Sequence, residues 1–318
     1  MDYILLIVGL ALLTVGADLL TKGCVGMAAR FRVPEFIVGL TVMAVGTSMP
    51  ELTVSTLSAI NGNSDMAIGN VTGSNIFNIL IILGICAMVR PMVFTRENIR
   101  RDIPICIAVS ALLLVMALYI GSPEGIGRLE GIILFLLYIA FVLYSIRSAK
   151  QDAPDVEAGT DDGRQTETTM GWGKVILFIA IGLAGLIYGG NLCLNSATAI
   201  ARAWGVSEAI IAITIVAAGT SLPELASSVA ATASGKLSLA LGNIIGSNVA
   251  NILLILGMCG TIKPLTMGGI TPIDMWMVVG AAVILLLSAL AIGRRRITRA
   301  EGLMYLAIYV GYVVLLMK

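Results

Sequence analysis

The sequence predicts an all-α polytopic membrane protein whose ten transmembrane helices form two inverted five-helix repeats, with broken helices meeting at the midplane. Three observations carry this expectation. The chain is 58% hydrophobic and 12% charged, with a mean hydropathy of +0.98, far from the composition of a soluble globular domain. Apolar runs of the roughly 20 residues needed to cross a bilayer recur along its whole length. The stretch "GTSMPEL" at 46–52 also returns as "GTSLPEL" at 219–225.

The first run, 3–20, begins "MDYILLIV", without the basic flank or cleavage site of a signal peptide, and is read as a retained span. The second, 36–57, places Gly46, Pro50 and Glu51 in an otherwise apolar segment. The third, 66–89, contains "GNVTGSNIFNIL" (69–80), and the fourth and fifth cover 103–120 and 127–146. Next comes "QDAPDVEAGTDDGRQTETT" (151–169), acidic, with Val156 its one large apolar residue. Such a composition cannot build a core and predicts a disordered linker over 151–170, and its carboxylates lack the spacing of an EF-hand. The remaining spans are expected at 172–192, 207–232, 237–260, 273–292 and 301–317. The two units are thus 1–150 and 171–318.

These units repeat. An offset of 173 residues, without a gap, aligns Pro50-Glu51 with Pro223-Glu224 and "GNVTGSNIFNIL" with "GNIIGSNVANIL" (242–253). The register runs from Gly16/Gly189 to Pro91/Pro264 and pairs Cys86 with Cys259, which marks a duplication. Five spans per unit is an odd number, so the second copy enters the membrane upside down. Inverted repeats with broken helices at their interface are the architecture of secondary transporters. Sixteen of the 20 Lys and Arg residues fall in the loops after spans 1, 3, 5, 7 and 9. The positive-inside rule makes those loops and the 151–170 linker cytoplasmic, with both termini outside.

Composition also excludes functions. The net charge of +1, without a basic patch interleaved with aromatics, gives no sign of a nucleic-acid partner. The absence of histidine excludes His-ligated zinc or haem and any histidine proton relay. Cys24, Cys86, Cys106, Cys193 and Cys259 are scattered singly and read as small core residues. With no aspartate pair and no nucleophile beside a base, the chain is read as a non-enzyme.

Pro50 and Pro223 lack an N–H and free carbonyls upstream, around Ala44–Gly46 and Ala217–Gly219. Irregular backbone at this depth is tolerated only where it lines a cavity or is buried in protein. Glu51 and Glu224 follow the breaks, and the hydroxyls of Thr47, Ser48, Thr220 and Ser221 lie one turn earlier. Ser74 and Asn78 are four apart, as are Ser247 and Asn251, so each pair shares a helix face. The "GNxxGSN" glycines would let these helices approach the broken ones closely. All the convergent groups are oxygens, the set hard cations such as Ca²⁺ and Na⁺ prefer. Asn70, Asn75, Asn243 and Asn248 have a plain alternative as ties between helices, and Asp18 with Lys22 as a local ion pair. The symmetric glutamates, with no Lys or Arg nearby in their spans, call for a cation.

With its paired "GTSxPE" and "GNxxGSN" motifs, the chain resembles the sodium/calcium exchangers of the cation/calcium exchanger superfamily in their compact prokaryotic form, over nearly its whole length. The resemblance implies a central cluster of one Ca²⁺ site and neighbouring Na⁺ sites. Carried over position by position, its ion ligands fall on Ala44, Thr47, Ser48, Glu51, Ser74 and Asn78, and on Ala217, Thr220, Ser221, Glu224, Ser247 and Asn251. Many relatives carry aspartate where this chain has Asn251. The resemblance also implies an electrogenic antiporter of a prokaryotic plasma (inner) membrane, exporting Ca²⁺ against Na⁺ by alternating access. It would work as a monomer, with no cofactor beyond the transported ions. A Ca²⁺/H⁺ exchanger using the same glutamates, or a cation channel, would present a similar sequence.

Overall fold

The computed structural model describes residues 1–120, 125–151, 170–205, 217–291 and 295–316. Because hydrocarbon offers no partners to a backbone, these apolar segments close their hydrogen bonds within helices. Helix α1 (Asp2–Phe31) precedes a bent pair, α2 (Glu35–Thr47) and α3 (Met49–Asn61), inclined by 47° at the break. Three further helices follow: α4 (Met66–Val89), α5 (Asn98–Tyr119) and α6 (Arg128–Ser148). After them come α7 (Trp172–Ala203), the single turn α8 (Ala217–Gly219) and α9 (Leu222–Ala233). The chain ends with α10 (Leu237–Ile262), α11 (Pro272–Leu290) and α12 (Arg299–Leu316).

Among the described residues, eight helices are individually long and apolar enough to span a bilayer, and the bent pair makes a ninth. The chain is an integral membrane protein. The seventh expected span, 207–232, lies partly outside the described residues, which resume at 217, and so does the 151–170 linker apart from its two end residues. The first and sixth spans run well past their expected ends, to 30 and 32 residues. In α1 the extension carries Lys22, which pairs with Asp18 at 2.6 Å as expected. It stops where Arg32 turns left-handed (φ 53°). Polar residues at a helix end sit at the interface, so hydropathy reads the apolar core of such a helix and misses its flanks. All five cysteines are free and buried.

Small residues set the closest approaches. A Cβ on Gly182 of α7 would stand 2.6 Å from the Leu20 nitrogen of α1, and one on Gly16 would stand 2.9 Å from the Gly182 carbonyl. Added to Gly242 or Gly246 of α10, a Cβ would meet the carbonyls of Phe36 and Leu40 in α2 at 2.2 and 2.3 Å. The second "GNxxGSN" motif therefore packs against the first broken helix backbone to backbone, as its glycines predict. Every residue from Leu239 to Ala250 is buried, which makes α10 a central helix.

Two short ribbons lie outside the sequence expectation. Strand β1 (Met92–Val93) pairs antiparallel with β4 (Arg296–Ile297), and β2 (Gly125–Ile126) pairs with β3 (Leu265–Thr266). Since β1 precedes α5 and β2 follows it, the ribbons cap opposite ends of that helix, and the 173-residue offset carries Met92-Val93 onto Leu265-Thr266. At Gly125 (φ 154°) a Cβ would lie 2.1 Å from the Leu265 carbonyl, so this strand tolerates glycine alone.

Candidate functional site

Proline creates both breaks. Ser48 (φ −80°, ψ 9°) and Ser221 (φ −88°, ψ 8°) leave the helical region, and Pro50 and Pro223 follow in the first turn of α3 and α9, where a missing N–H is harmless. Glu51 and Glu224 occupy the same first turns, where unpaired N–H groups favour negative charge. The carbonyl of Ala44 remains engaged, contrary to the sequence expectation: it accepts the Ser48 N–H at 3.0 Å and lies 3.3 Å from the Thr47 hydroxyl. The proline removes the donor four residues after Gly46, so the freed carbonyl is that of Gly46. Ala217 opens α8, directly after residues outside the description.

Each glutamate is bonded by the opposite half. Ser48 Oγ donates to Glu224 Oε1 at 2.7 Å, and Ser221 Oγ donates to Glu51 Oε1 at 3.0 Å. The Thr47 hydroxyl lies 3.4 Å from Asn243 Oδ1, and the Thr220 hydroxyl lies 3.4 Å from Asn70 Oδ1. Asn70 Nδ2 donates to Ser55 Oγ at 3.0 Å, while Asn243 Nδ2 donates to Ser228 Oγ at 2.9 Å and to Ser227 Oγ at 3.2 Å. The 173-residue offset turns the first member of each pair into the second. Ser74 Oγ stands 3.2 Å from Ser221 Oγ. Asn251 Nδ2 donates to Asn75 Oδ1 at 3.0 Å, and Asn75 Nδ2 to the Asn248 carbonyl at 3.2 Å.

Glu51 is 1% exposed and Glu224 2%. The ion pairs described, Lys22–Asp18, Arg101–Asp102 and Lys236–Glu35, involve neither. Glu51 Oε2, Glu224 Oε2, Asn78 Oδ1, Asn251 Oδ1 and Ser247 Oγ are all buried without a hydrogen-bond partner. Native interiors leave few such atoms unsatisfied, and each of these oxygens is of a kind that can accept a cation. Among the described residues no three His, Cys, Asp or Glu side chains gather. A cation here would therefore have two carboxylates and neutral oxygens, a donor set for a hard ion.

A cavity of about 290 Å³ adjoins the breaks, walled by Pro50 and Thr53 on one side and by Asn191, Gly219, Thr220 and Pro223 on the other. Sequence reasoning missed the π-helical segments Asn78–Ile82 and Asn251–Leu256, which open at the two paired asparagines. Widened turns of this kind recur at functional sites. It also missed Ser55 and Ser228, which hold the amides of Asn70 and Asn243; their relation by the same offset was the available signal.

The family profile described as sodium/calcium exchanger protein matches residues 1–147 and 174–318. The chain belongs to that family. It is 36% identical over 265 residues to the inner membrane protein YrbG of Escherichia coli, covering 82% of this chain and 79% of that one. Against the sodium/calcium exchanger MaX1 of Methanosarcina acetivorans it is 32% identical over 344 aligned positions, covering 99% and 98%. A structure of the sodium-calcium exchanger NCX_Mj soaked with 10 mM Na⁺ and zero Ca²⁺ matches with a TM-score of 0.83 and 28% identity, covering 98% of each chain. Its counterpart soaked with 2.5 mM Na⁺ and 0.1 mM Ca²⁺ matches with the same TM-score.

The exchanged hydroxyl bonds can be tested directly. Ser48→Ala removes the donor to Glu224 Oε1 and should cost about 1.5–3 kcal/mol of stability, the range for hydrogen bonds to charged groups. In a double-mutant cycle with Glu224→Ala the two losses should be non-additive by about 0.5–3 kcal/mol. Equilibrium unfolding in detergent measures both, and strict additivity would show that the bond contributes nothing.

Proposed function

We propose that this chain is a secondary active antiporter that exchanges Ca²⁺ for Na⁺ by alternating access, with electrogenic Ca²⁺ export. The reading rests on one observation above others: two buried carboxylates, one from each half, keep unpartnered oxygens, as do the buried side chains of Asn78, Asn251 and Ser247. Dehydrating a divalent ion in low dielectric is expensive, and two carboxylates together offset what neither could alone. The names of MaX1 and NCX_Mj, both sodium/calcium exchangers, agree with this reading. In it the ion ligands are Glu51, Glu224, Ser74, Ser247, Asn78 and Asn251, with the hydroxyls of Thr47, Ser48, Thr220 and Ser221 and the carbonyls of Ala44 and Ala217. Na⁺ and Ca²⁺ compete for overlapping oxygens, so that occupancy by one displaces the other and couples the fluxes.

The architecture proposed with it is ten spans in two inverted five-helix repeats, 1–150 and 171–318, in a prokaryotic plasma membrane. One chain supplies both halves of the site, so a monomer suffices. With both termini outside, α3 occupies the outer half of its span, and the cavity beside Pro50 and Thr53 opens the site outward.

Proteoliposomes supply the decisive test. Native protein should take up ⁴⁵Ca²⁺ only against an opposing Na⁺ gradient, and Glu51→Gln or Glu224→Gln should abolish uptake while the protein stays folded. Uptake driven by a proton gradient alone would establish a Ca²⁺/H⁺ exchanger, and uptake without any counter-ion a channel. Normal flux in either glutamine variant would remove that residue from the site. The topology has its own test, since Ala158→Cys in a cysteine-free variant should resist an impermeant thiol reagent in intact cells. Ready labelling there would reverse the orientation.

Asn251 cannot ionise. Two carboxylates leave a bound Ca²⁺ neutral, and each Na⁺ beyond two per Ca²⁺ moves one net charge, worth about 2.3 kcal/mol per 100 mV. An aspartate at 251 would add a group that must be protonated or neutralised as the ions change. Asn251→Asp should therefore make exchange more pH-dependent and alter the preference between Ca²⁺ and Na⁺. If the variant matches native protein in both respects from about pH 6 to 8, well above the ordinary carboxylate range, Asn251 serves only in packing.

A further inference from the structure

A further cavity, lined by arginines and apolar side chains, lies far along the chain from the glutamates. It measures about 310 Å³ and is lined by Arg96, Ile99, Arg100, Ala289, Leu290 and Arg295. Two elements build it. Arg96, in the helical turn leading into α5, and Arg100, in the first turn of α5, are four residues apart on one face. Arg295 arrives from the connection between α11 and α12, fixed by the β1–β4 ribbon: the Phe94 N–H donates to the Arg295 carbonyl at 2.7 Å, and Val93 pairs with Arg296. Arg295 is held there in a left-handed conformation (φ 46°) that side chains seldom adopt. The apolar wall continues onto lipid-facing surface, where Leu287 and Leu290, one turn apart on α11, are 55% and 53% exposed.

We propose that this cleft binds the phosphate headgroup of an anionic phospholipid of the surrounding bilayer. Arginine forks engage phosphate oxygens two at a time, and basic pockets between transmembrane helices suit acidic headgroups. Here the three arginines stand above an apolar face on which acyl chains can lie. No described ion pair uses Arg96, Arg100 or Arg295. In the larger cavity, of about 790 Å³, two of the three lysines are paired, Lys22 with Asp18 and Lys236 with Glu35. Glu97 is the carboxylate beside Arg96. A backbone hydrogen bond, then Thr95, Arg101 and Arg96, hold its carboxyl below the usual range, so it is ionised at neutral pH and offsets one of the three charges. An excess of positive charge remains.

Native mass spectrometry of the purified full chain tests the assignment, with phosphatidylglycerol, phosphatidylcholine and sodium phosphate as probes. Phosphatidylglycerol should be retained in preference to phosphatidylcholine. At about fivefold per arginine, the R96Q/R100Q/R295Q variant should bind phosphatidylglycerol roughly a hundredfold more weakly. The variant R32Q/R147Q/R299Q, which loses the same charge elsewhere, should bind as native protein does. Where the first triple variant is not monodisperse, Arg100→Gln alone should still show about a fivefold loss. Equal retention of both lipids, undiminished binding in the arginine variants, or equal weakening in the control would each overturn the proposal. Complete displacement of phosphatidylglycerol by millimolar sodium phosphate would overturn it too, by marking a site for the free anion.

Discussion

Everything near the centre of this molecule depends on holding two carboxylates in a region that excludes water. Glu51 and Glu224 are almost wholly buried, and a charge at such depth is tolerated only with hydrogen bonds and a partner charge. The protein supplies part of this in a crossed pattern, Ser48 to Glu224 and Ser221 to Glu51. Neither half completes its own glutamate. The two breaks must therefore lie side by side, and glycines at 242 and 246 let α10 pack directly on the backbone of α2 beside the first of them. A larger side chain at either position would move the helix that carries Asn243, Ser247 and Asn251.

The same constraint accounts for the asparagines. Asn70 and Asn243 each lie 3.4 Å from a threonine hydroxyl of the opposite half and give amide protons to serines of their own half. They tie the broken helices to their neighbours. Asn78 and Asn251 differ, since both keep an unpartnered side-chain oxygen and each begins a π-helical segment. A widened turn displaces one residue from the regular ladder and re-aims the side chains beside it. The two pairs thus differ in hydrogen bonding, and Asn75 is tied to Asn251 and to the Asn248 carbonyl.

Much of this was legible in the sequence because duplication prints the same oxygens twice. Proline marked the breaks, the offset of 173 paired Glu51 with Glu224, and the i,i+4 spacing joined Ser74 to Asn78 and Ser247 to Asn251. Other features left no local signal. The crossed bonding is a product of tertiary packing, and no spacing within one half reveals it. The π-helical segments occur in apolar runs such as "NILII" and "NILLIL" that read equally well as ordinary helix. The two-residue ribbons are too short for a pattern of period two, and β1 meets β4 across some 200 residues of sequence. Helix ends were misjudged at α1 and α7 because charged residues there stay helical at the interface.

The neutrality of the remaining oxygens bears on what such a centre can hold. The fixed charge is limited to two carboxylates, while Asn78, Asn251 and Ser247 add lone pairs without adding charge. A divalent cation cancels that charge with a single ion. Monovalent ions must enter in numbers to do the same, and each needs its own share of the oxygens. Neutral donors make this sharing feasible, because they accept a cation without the repulsion that a third carboxylate would impose when the ions depart. In the proposed exchanger, a centre of this composition takes one doubly charged ion or several singly charged ones as alternatives.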